Sequence, residues 1–474
     1  MKVEEARADY KVVATGQDGW PPMTIEEIAD VNPRVDKAAI PDDLPVSFVP
    51  MPAVGAGDGS IQVEQTRPAG EVKKGFTAFL EGDVLFAKIT PCMENGKMAV
   101  VPKLMNGYGF GSTEFHVLRP KPGMDAKYIY YYVSSQTFRG EAERYMTGAV
   151  GQKRVSTTYL KQSTIPVAPL NQQKRIVAEI EKQFSRLDEA VANLKRVKAN
   201  LKRYKAAVLK AAVEGRLVET EAERARREGR SFETGAQLLQ RILETRRSQW
   251  QGKGKYKEPA VPDTTDLPEL PEGWVWARLD AIAALKGGIT VDSKRQDQTA
   301  RVVPYLRVAN VQRGYLDLSE VKTISAPASD IESLRLRLGD ILFNEGGDRD
   351  KLGRGWIWED QLADCIHQNH VFRARLVAAD VLPKLVSWWG NTFGKDYFQR
   401  EGKQTTNLAS INLTKLSAFP VPLPPLAEQQ RIVAEVDRRL TLLRATEDQV
   451  DANLQRAECL RQSILSAAFS GGVA

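Results

Sequence analysis

Residues 169–180 are Pro-Leu-Asn-Gln-Gln-Lys-Arg-Ile-Val-Ala-Glu-Ile, and residues 425–436 are Pro-Leu-Ala-Glu-Gln-Gln-Arg-Ile-Val-Ala-Glu-Val. The likeness continues without a gap to Gly215 in the first copy and to Gly471 in the second, at an offset of 256 residues. A repeated segment of this kind sets the architecture of a chain. We therefore expect two copies of one structural element, half a chain apart.

Each copy has the pattern of one long helix. Its apolar residues recur at alternating spacings of three and four, which is the seam of a coiled coil. Proline precedes each copy, where a helix tolerates it, and glycine follows the last turn, where it ends a helix. From about Gln172 to Ala212 the helix would be roughly 60 Å long. A narrow seam cannot be buried alone, so the two helices are expected to pack on each other through these residues: Phe184, Leu187, Val191, Leu194, Leu201, Leu440, Leu443, Val450, Leu454 and Ile464.

Charged residues interrupt both seams. They are Lys198 and Lys205 in the first copy and Glu447 and Arg461 in the second. These side chains can extend to water while their stems cover the seam. Alternatively, in an antiparallel pair the two lysines would come within reach of Asp437 and Glu447. Both interpretations stay open, because the register of the pair cannot be derived from sequence.

The repeat extends beyond the helices to nearly the whole chain. Gly19-Trp20 matches Gly273-Trp274, and a short amphipathic segment follows each pair. Residues between the first long helix and the second globular domain are charged at first and rich in Gly, Pro and Lys later, which is typical of a linker. The predicted segments are a lead-in (1–18), a globular domain (19–168), a central helix (169–217), a helical segment and linker (218–272), a second globular domain (273–424) and a C-terminal helix (425–474).

The globular domains consist of short apolar runs separated by turn residues, a pattern that predicts strands. In the first domain, strands are expected at 46–51, 82–87, 98–101 and 114–118, and a tyrosine-rich helix at 128–134. In the second, strands are expected at 303–308, 338–343 and 370–374, and a helix at 382–389. Each is thus a mixed α/β domain of roughly 150 residues, an ordinary size. The predicted fold class is α+β, with two similar domains joined by two long helices.

The charge of this 474-residue chain is concentrated in one element. The hydrophobic content of 42% and charged content of 27% are those of a globular protein, and the net charge is +7. Residues 170–217 carry 12 Lys/Arg against 5 Asp/Glu, a net of +7, whereas 426–473 carry 6 against 7, a net of −1. The first long helix therefore accounts for the surplus. It presents either an ordinary solvated face or a surface that meets phosphates or an acidic partner.

The three cysteines, Cys92, Cys365 and Cys459, have neither metal-site nor redox spacing, which fits a reducing cytoplasm. His367 and His370 follow Cys365 closely, a weak likeness to a metal cluster that lacks a second half. An ordinary strand with polar residues is the favoured interpretation there, and no metal site is predicted. The sequence shows no apolar run of membrane length and no signal peptide, so a membrane partner is not expected.

Motifs of catalysis are missing from the sequence. The segment from Gly390 to Lys395 is one residue short of a phosphate-binding loop and continues with Asp396. Neither a dinucleotide fingerprint nor the Asp/Asn-Pro-Pro-aromatic motif of an amino-methyltransferase is present. With three histidines, a hydrolytic triad has little room. We expect a chain without catalytic residues.

Each globular domain instead has two glycine-rich, basic loops, at 88–97 and 147–154 in the first and at 344–354 and 402–407 in the second. Arg and Lys hold phosphates or contact guanine, Gln and Asn can contact adenine, and glycine allows close approach. Each loop alone could be a plain surface turn, but four at matching places favour a binding edge. The candidate DNA-binding residues are Lys88, Lys97, Thr147, Gln152, Lys153, Arg154, Arg349, Lys351, Arg354, Lys403, Gln404, Thr405 and Asn407.

This plan resembles the specificity subunit of type I restriction–modification systems over about residues 19–474. The resemblance rests on the paired Pro-Leu-x-x-Gln-Gln/Lys-Arg-Ile-Val motifs, each preceded by an Ile/Phe-Pro-Val segment. It also rests on further motifs, namely Gly82-Asp83-Val84-Leu85, Gly339-Asp340-Ile341-Leu342, Thr147-Gly148-Ala149 with Gln152-Lys153, and Leu270-Pro-Glu-Gly-Trp274. One departure is Gly151, which changes the length of the Thr-Gly-Ala loop and leaves the contacts of that loop open.

The resemblance implies two target recognition domains, each reading half of a split double-stranded DNA site. It implies two antiparallel helices, related by an internal pseudo-twofold repeat, that fix the distance between the half-sites. Two modification subunits would dock on this chain, and restriction subunits would join through them. S-adenosylmethionine, ATP and Mg would be bound by those partners and no cofactor by this chain.

Two alternatives come from other functional classes. A coiled-coil adaptor would bind only protein and would give its complex no DNA sequence preference. A self-contained DNA modification enzyme would transfer methyl groups without a partner. The missing catalytic motifs disfavour the second alternative, and DNA binding without sequence preference by the assembled complex would support the first.

Overall fold

The computed structural model describes residues 19–149, 151–252, 254–290, 300–347, 351–404 and 409–470. The chain divides into two units. The first comprises Met1–Val197 together with Gln449–Ala474, and the second comprises Lys198–Asp448. Because the long helices cross this division, each unit contains one part of each long helix.

The first unit begins with short strands and ends with the first long helix. Its elements are β1 (Pro22–Thr24), α1 (Ile25–Ile28), β2 (Ala29–Val31), β3 (Pro45–Val49), β4 (Thr66–Pro68), α2 (Ala69–Val72), β5 (Thr77–Leu80), β6 (Val84–Ala87), β7 (Met98–Val100), β8 (Tyr108–Gly111), β9 (Phe115–Pro120), α3 (Ala126–Val133), α4 (Gln136–Arg144), α5 (Thr157–Gln162), β10 (Thr164–Pro166) and α6 (Leu170–Val213), which runs on into the second unit.

Two four-stranded sheets form the body of the first unit. One is antiparallel with the order β2-β9-β6-β7, and the other has the order β4-β3-β8-β5, in which β3 and β8 are parallel. One core lies where the first sheet packs against α3, α4 and the start of α6, and its fully buried side chains include Phe86, Tyr128 and Ile180. The apolar residues that recur periodically in the sequence are thus buried between one face of this sheet and the helices that cover it.

The second unit contains the linker helices, the second globular part and the start of the second long helix. Its elements are α7 (Glu221–Glu228), α8 (Gly235–Ser248), β11 (Val275–Arg278), α9 (Leu279–Ile282), β12 (Ala283–Lys286), β13 (Arg301–Leu306), β14 (Val311–Gln312), β15 (Tyr315–Leu316), β16 (Lys322–Ala326), α10 (Ala328–Leu334), β17 (Ile341–Asn344), β18 (Gly346–Gly347), β19 (Gly355–Ile357), β20 (Ile366–His367), β21 (Val371–Leu376), α11 (Pro383–Asn391), α12 (Phe393–Glu401), β22 (Lys403–Gln404), β23 (Ala409–Ser410), α13 (Leu413–Ser417), β24 (Pro420–Leu423) and α14 (Leu426–Phe469), which ends in the first unit.

The sheets of the second unit repeat those of the first. The order β12-β21-β17-β19 corresponds to β2-β9-β6-β7, and β16-β13-β20 corresponds to β4-β3-β8. The pairing of β13 with β20 is again parallel, and β11 pairs with β24 as β1 pairs with β10. The expected strands and covering helices are all present within a few residues of their predicted bounds. These two similar α/β folds and the two long helices confirm the predicted fold class.

The repeated motif at the start of each long helix performs the same structural task twice. Gln173 and Gln429 are both buried, with 1% and 0% exposure. Gln173 Nε2 donates to the carbonyl of Ala168 at 2.7 Å, and Gln429 Nε2 donates to that of Pro424 at 3.0 Å. Each Oε1 accepts, at 2.9 Å, a backbone N–H just before α3 or α11. The glutamine therefore ties each long helix to the globular part of the same unit.

The linker helix α7 is attached to the start of α14 by buried charges. Glu221 is 3% exposed, and its carboxylate accepts from Arg431 at 2.5 Å. Its backbone N–H donates to Glu428 at 2.8 Å. Burial raises the pKa of the Glu428 carboxyl, which also accepts from Trp274 Nε1 at 2.9 Å. The segment predicted as helical at the start of 218–272 is therefore packed against the second unit through Glu221.

The two long helices run antiparallel within each unit. In the first unit Arg461 donates to Asp188 at 2.7 Å, and its guanidinium lies 4.1 Å from the centre of the Phe184 ring. In the second unit Arg439 donates to Tyr204 Oη at 3.4 Å. The seam cation of the second copy is thus paired across helices. Among the predicted pairing residues, Phe184, Leu443 and Val450 are buried, and the other seven are partly buried: Leu187, Val191, Leu194, Leu201, Leu440, Leu454 and Ile464.

Lys205, one of the two seam lysines, behaves differently from Arg461. Lys205 is exposed, and the carboxylate of Asp437 accepts instead from Lys384 at 2.6 Å. Lys205 therefore extends into water and does not pair with Asp437. Among the described residues, no helix is both long enough and apolar enough to cross a membrane.

Candidate nucleic-acid interface

The loop at 147–154 is a tight hairpin. Thr147 and Arg154 exchange two backbone hydrogen bonds, of 3.0 and 2.8 Å, and form an antiparallel bridge. Gly148 has a φ of +132°, and a Cβ atom there would lie 2.8 Å from the carbonyl oxygen of Gln152. Glycine is required at this position because any side chain would collide with the opposite arm. The backbone N–H of Gln152 donates to the carbonyl of Ala149 at 2.9 Å, so Gln152 and Lys153 lie on the returning arm of this hairpin.

The structure brings the two predicted loops of the first unit together. Ile89 forms an antiparallel bridge with Arg154. The backbone N–H of Thr90 donates to the carbonyl of Lys153 at 3.0 Å, and that of Val155 donates to the carbonyl of Lys88 at 2.8 Å. The predicted loops are therefore neighbours on one edge, which we call the first edge (residues 88–97, 114–116 and 147–155).

An ion pair and a buried histidine fix the first edge from behind. Arg154 donates to both carboxylate oxygens of Glu114, at 2.9 and 2.8 Å, and these bonds hold the pKa of Glu114 below its usual range. His116, 3% exposed, bonds through Nε2 to the carbonyl of Val155 at 2.9 Å and through Nδ1 to Asn32 Nδ2 at 3.1 Å. If Nε2 donates to this carbonyl, Nδ1 is left to accept from Asn32, and this pattern corresponds to the neutral imidazole ring. Burial lowers the pKa of His116, in keeping with that form.

The predicted residues of the first edge fall into two groups. Thr147, Gln152 and Lys153 are exposed at the hairpin. Lys88 is half-buried, and Lys97 uses its Nζ to donate to the carbonyl of Met51 at 3.1 Å. Arg154, as described, is engaged by Glu114. The exposed group is free to meet a ligand, whereas Lys97 and Arg154 have partners inside the fold. DNA contact by any of these residues remains a prediction.

The second unit has a corresponding edge. Lys403 pairs with Ser410 in the antiparallel pairing of β22 and β23, as Thr147 pairs with Arg154. Strand β23 also pairs with β18, and Ile411 N–H donates to the carbonyl of Glu345 at 2.8 Å. The predicted loops 344–354 and 402–407 therefore meet in the second unit as well. We call this edge the second edge (residues 344–347, 368–370 and 403–411 where described).

Several predicted residues of the second edge cannot be placed. Arg349, Thr405 and Asn407 lie outside the described residues, and Lys403 and Gln404 are described only as the backbone of β22. Lys351 and Arg354 are half-buried, and Arg354 Nη2 donates to the carbonyl of Val308 at 3.4 Å. Their contact with DNA remains a prediction.

Sequence reasoning missed four side chains at these edges. Glu114 and His116 support the first edge, and Glu345 and His370 form a pair on the second, with Oε2 and Nδ1 2.6 Å apart. A signal was present in the sequence, because Glu114 and His370 stand 256 residues apart, at the offset of the repeat. The pattern of charges alone could not show which strands border the loops.

The Cys365 segment contains two histidines in different environments. His367 is fully buried in β20, with Nδ1 2.6 Å from the carbonyl oxygen of Val371, and burial lowers its pKa to about 4. His370 is exposed on the second edge. Within the described part of the chain, no three His, Cys, Asp or Glu side chains are grouped as metal ligands.

Known proteins are similar to this chain in sequence and in fold. The family model for the type I restriction modification DNA specificity domain matches residues 17–203. The EcoEI specificity subunit of Escherichia coli is 27% identical over 93% of this chain and 80% of its own length. The EcoAI specificity subunit of Escherichia coli is 29% identical over 89% of this chain and 77% of its own length.

Solved structures show the same fold. The HsdS subunit from Thermoanaerobacter tengcongensis superposes with a TM-score of 0.60 at 18% identity, covering 98% of this chain and 99% of its own. A chain from a structure on assembly and conformational transition of the type I R-M system gives a TM-score of 0.69 at 19% identity, covering 96% of this chain and 99% of its own. The matched family model and these relatives show that the chain is similar in sequence, and the solved structures show that it is similar in fold, to specificity subunits of type I restriction–modification systems.

Proposed function

We propose that this chain selects the DNA sequence on which a type I restriction–modification complex acts, and that each edge recognises one half of a bipartite, asymmetric site. The carrying observation is that the two edges have the same backbone plan and different side chains. A hairpin bordered by the same two strands presents Gln152 and Lys153 in the first unit, and His370 stands on the second edge. Equal scaffolds with unequal side chains suit two different half-sites.

Among the predicted residues, the exposed hairpin residues Gln152 and Lys153 are the main ones proposed to contact DNA. Lys153 offers a cation to phosphate, and Gln152 offers an amide that can pair with adenine in the major groove. Their backbone is held by the Glu114–Arg154 ion pair and by His116, so little conformational freedom would be lost on binding. Lys403 and Gln404 are proposed to do the corresponding work in the second unit.

The long helices are proposed as the docking surface for the modification subunits. In each unit they leave large apolar side chains exposed, among them Leu460 at 51% in the first unit and Leu442 at 56% and Tyr204 at 48% in the second. Tyr204 and Leu460 are equivalent in the repeat, at the offset of 256. Two equivalent apolar positions suit two copies of one partner. Restriction subunits would then join through the modification subunits.

A large cavity in the second unit adds to that surface. It measures about 1300 Å³ and lies between the last part of α6, the first part of α14 and the recognition fold. Its lining combines basic residues such as Lys205 and Arg444 with aromatic ones such as Trp356 and Trp388. Partners would supply S-adenosylmethionine, ATP and Mg, so this chain is proposed to act in recognition and assembly without catalysis of its own.

A domain exchange tests the proposal. Residues 20–165 would be replaced by the equivalent domain of a relative, and the hybrid assembled with its modification subunits. Methylated positions would then be mapped by sequencing of a randomised duplex library. One half of the recognised motif should change while the other half and the gap persist. If both halves change, the two edges do not act independently. If the wild-type complex methylates without sequence preference, the chain does not supply specificity.

A further inference from the structure

We propose that His370 determines base specificity in the second half-site, by accepting a hydrogen bond at Nε2 from the exocyclic amine of adenine or cytosine in the major groove. Glu345 is the positioning residue that fixes the tautomer of this histidine. The inference rests on the proposed function and adds to it a residue, a tautomer and a class of base. It comes from the repeated architecture together with the geometry of one exposed pair.

Three positions on the two edges are structurally equivalent. Lys88 N–H donates to the carbonyl of Glu114 at 2.9 Å, and Glu345 N–H donates to that of His370 at 2.9 Å. The carbonyl of Lys88 then accepts from Val155 N–H, and that of Glu345 accepts from Ile411 N–H, each at 2.8 Å. The backbone connections at each edge are thus the same, so Lys88 corresponds to Glu345 and Glu114 corresponds to His370.

The side chains at these positions are arranged in opposite ways. In the first unit the side chain of Glu114 turns to the hairpin and is held by Arg154 through two hydrogen bonds. In the second unit the position of Arg154 is Ser410, which cannot supply a cation. The stabilising bond instead runs along the edge, from His370 Nδ1 to Glu345 Oε2 at 2.6 Å. The residue held in place at this position is therefore Glu114 in the first unit and His370, with its exposed imidazole ring, in the second.

The hydrogen bond to Glu345 decides what the ring offers to a ligand. A carboxylate is only an acceptor, so Nδ1 carries the proton, and in the neutral ring Nε2 becomes an acceptor. The His370 side chain is 55% exposed, and its Nε2 has no hydrogen-bond partner among the residues the structure describes. A phosphate oxygen is itself an acceptor and cannot pair with a neutral Nε2. In the major groove, donors are the amines of adenine and cytosine.

Position 345 also argues against a phosphate contact. A carboxylate there, 27% exposed, would repel a phosphate, whereas it would not oppose a base edge whose amine is turned toward His370. The corresponding position in the first unit is Lys88, whose cation favours phosphate or guanine. The two edges are thus expected to prefer different bases at corresponding places.

The test uses the chain assembled with its modification subunits and a randomised duplex library, with methylated molecules identified by sequencing. His370→Ala should reduce discrimination at one position of one half-site by about 10-fold or more, the effect of losing one base contact. At that position the wild-type complex should require adenine or cytosine on one strand. Glu345→Gln, which allows either tautomer, should admit guanine or thymine there as well.

Two controls separate this role from a structural one. Glu332→Gln removes an equally charged, 69%-exposed carboxylate of the same unit that is paired with Arg335, and it should leave the motif unchanged. His370→Gln keeps an acceptor and should retain most of the preference, which covers the case in which His370→Ala does not assemble. A wild-type motif in both His370→Ala and Glu345→Gln would overturn the inference while leaving the proposed function intact. A wild-type complex without a bipartite motif would overturn both.

Discussion

Arg375 donates to both carboxylate oxygens of Asp340, from Nε and Nη2, at 2.7 Å each. The first unit repeats this pair in Arg119 and Asp83, at 2.8 Å each. Each aspartate is 1% exposed and follows a glycine of positive φ, and its Oδ2 also accepts a backbone N–H of the turn at 2.8 Å. The Gly-Asp motif is therefore a turn whose buried carboxylate joins two neighbouring strands of the sheet.

Removing the arginine of this pair should destabilise its unit. In Arg375→Ala the buried Asp340 loses both side-chain donors, and breaking such a pair costs about 3–5 kcal/mol. Chemical denaturation of the variant should show a loss of this size. Arg337→Ala is the control, because its guanidinium is 60% exposed and its contact with Glu332 is 3.8 Å long. An exposed pair of that kind contributes about 0–1 kcal/mol. Equal losses in the two variants would contradict the role of Arg375.

Two adjacent cations of the first edge should respond differently to mutation. Lys153→Ala is expected to lower the salt dependence of DNA binding by about 0.9 in the slope of log K against log[salt], the effect of one phosphate contact. Its stability should not change, because the side chain is exposed. Arg154→Ala removes the same charge but releases Glu114, so loss of specificity in the first half-site should dominate. Binding isotherms at several salt concentrations measure the slopes, and an unchanged slope in Lys153→Ala would remove this lysine from the interface.

The long helices should set the gap between half-sites. Inserting four residues after Ala199 and four after Thr446 adds about 6 Å, close to two base-pair steps of about 3.4 Å. The added rotation beyond one turn is about 40°, and a four-residue insertion is accommodated by a heptad seam. The lengthened chain should methylate both half-sites with a longer gap. Full activity at the original gap, seen by methylation mapping, would mean that the helices only tether the recognition domains.

Acid should destabilise the second unit through His367. The pKa of this buried ring is lowered from 6.5 to about 4, so the unfolded chain binds a proton more readily than the folded one. Stability is therefore complete above pH 6.5 and is lost as the pH falls from 6.5 toward 4. The loss amounts to at most about 1.4 kcal/mol per pH unit for one group. Thermal unfolding at pH 7 and pH 5 should show a smaller decrease in His367→Gln than in the wild type, and an equal decrease would exclude His367 as the cause.

The contacts within the first edge could not be predicted from the sequence. The sequence predicts that loops 88–97 and 147–154 contribute to a binding edge, but their contact through Ile89 and Arg154 depends on strand pairing between distant segments. Composition likewise could not separate Lys153, which is exposed, from Lys97, whose Nζ is used by the carbonyl of Met51. An exposed lysine and a lysine that is bonded inside the fold cannot be distinguished in a sequence, because the partner of the bonded one is a backbone atom far along the chain.

The repeat, the two long helices, the positions of the main strands and the resemblance to a specificity subunit can all be derived from the amino-acid sequence. These follow from local chemistry, namely apolar periodicity, helix-ending residues and a constant offset. In contrast, the contacts by which Gln173 and Gln429 tie the long helices to the globular domains, and the hydrogen bond between Glu345 and His370, are seen only in the folded chain. Such contacts depend on which atoms are brought together when the sheets and helices pack around a core. The partners of the side chains at each edge are determined by this packing, so they can be identified only in the three-dimensional structure.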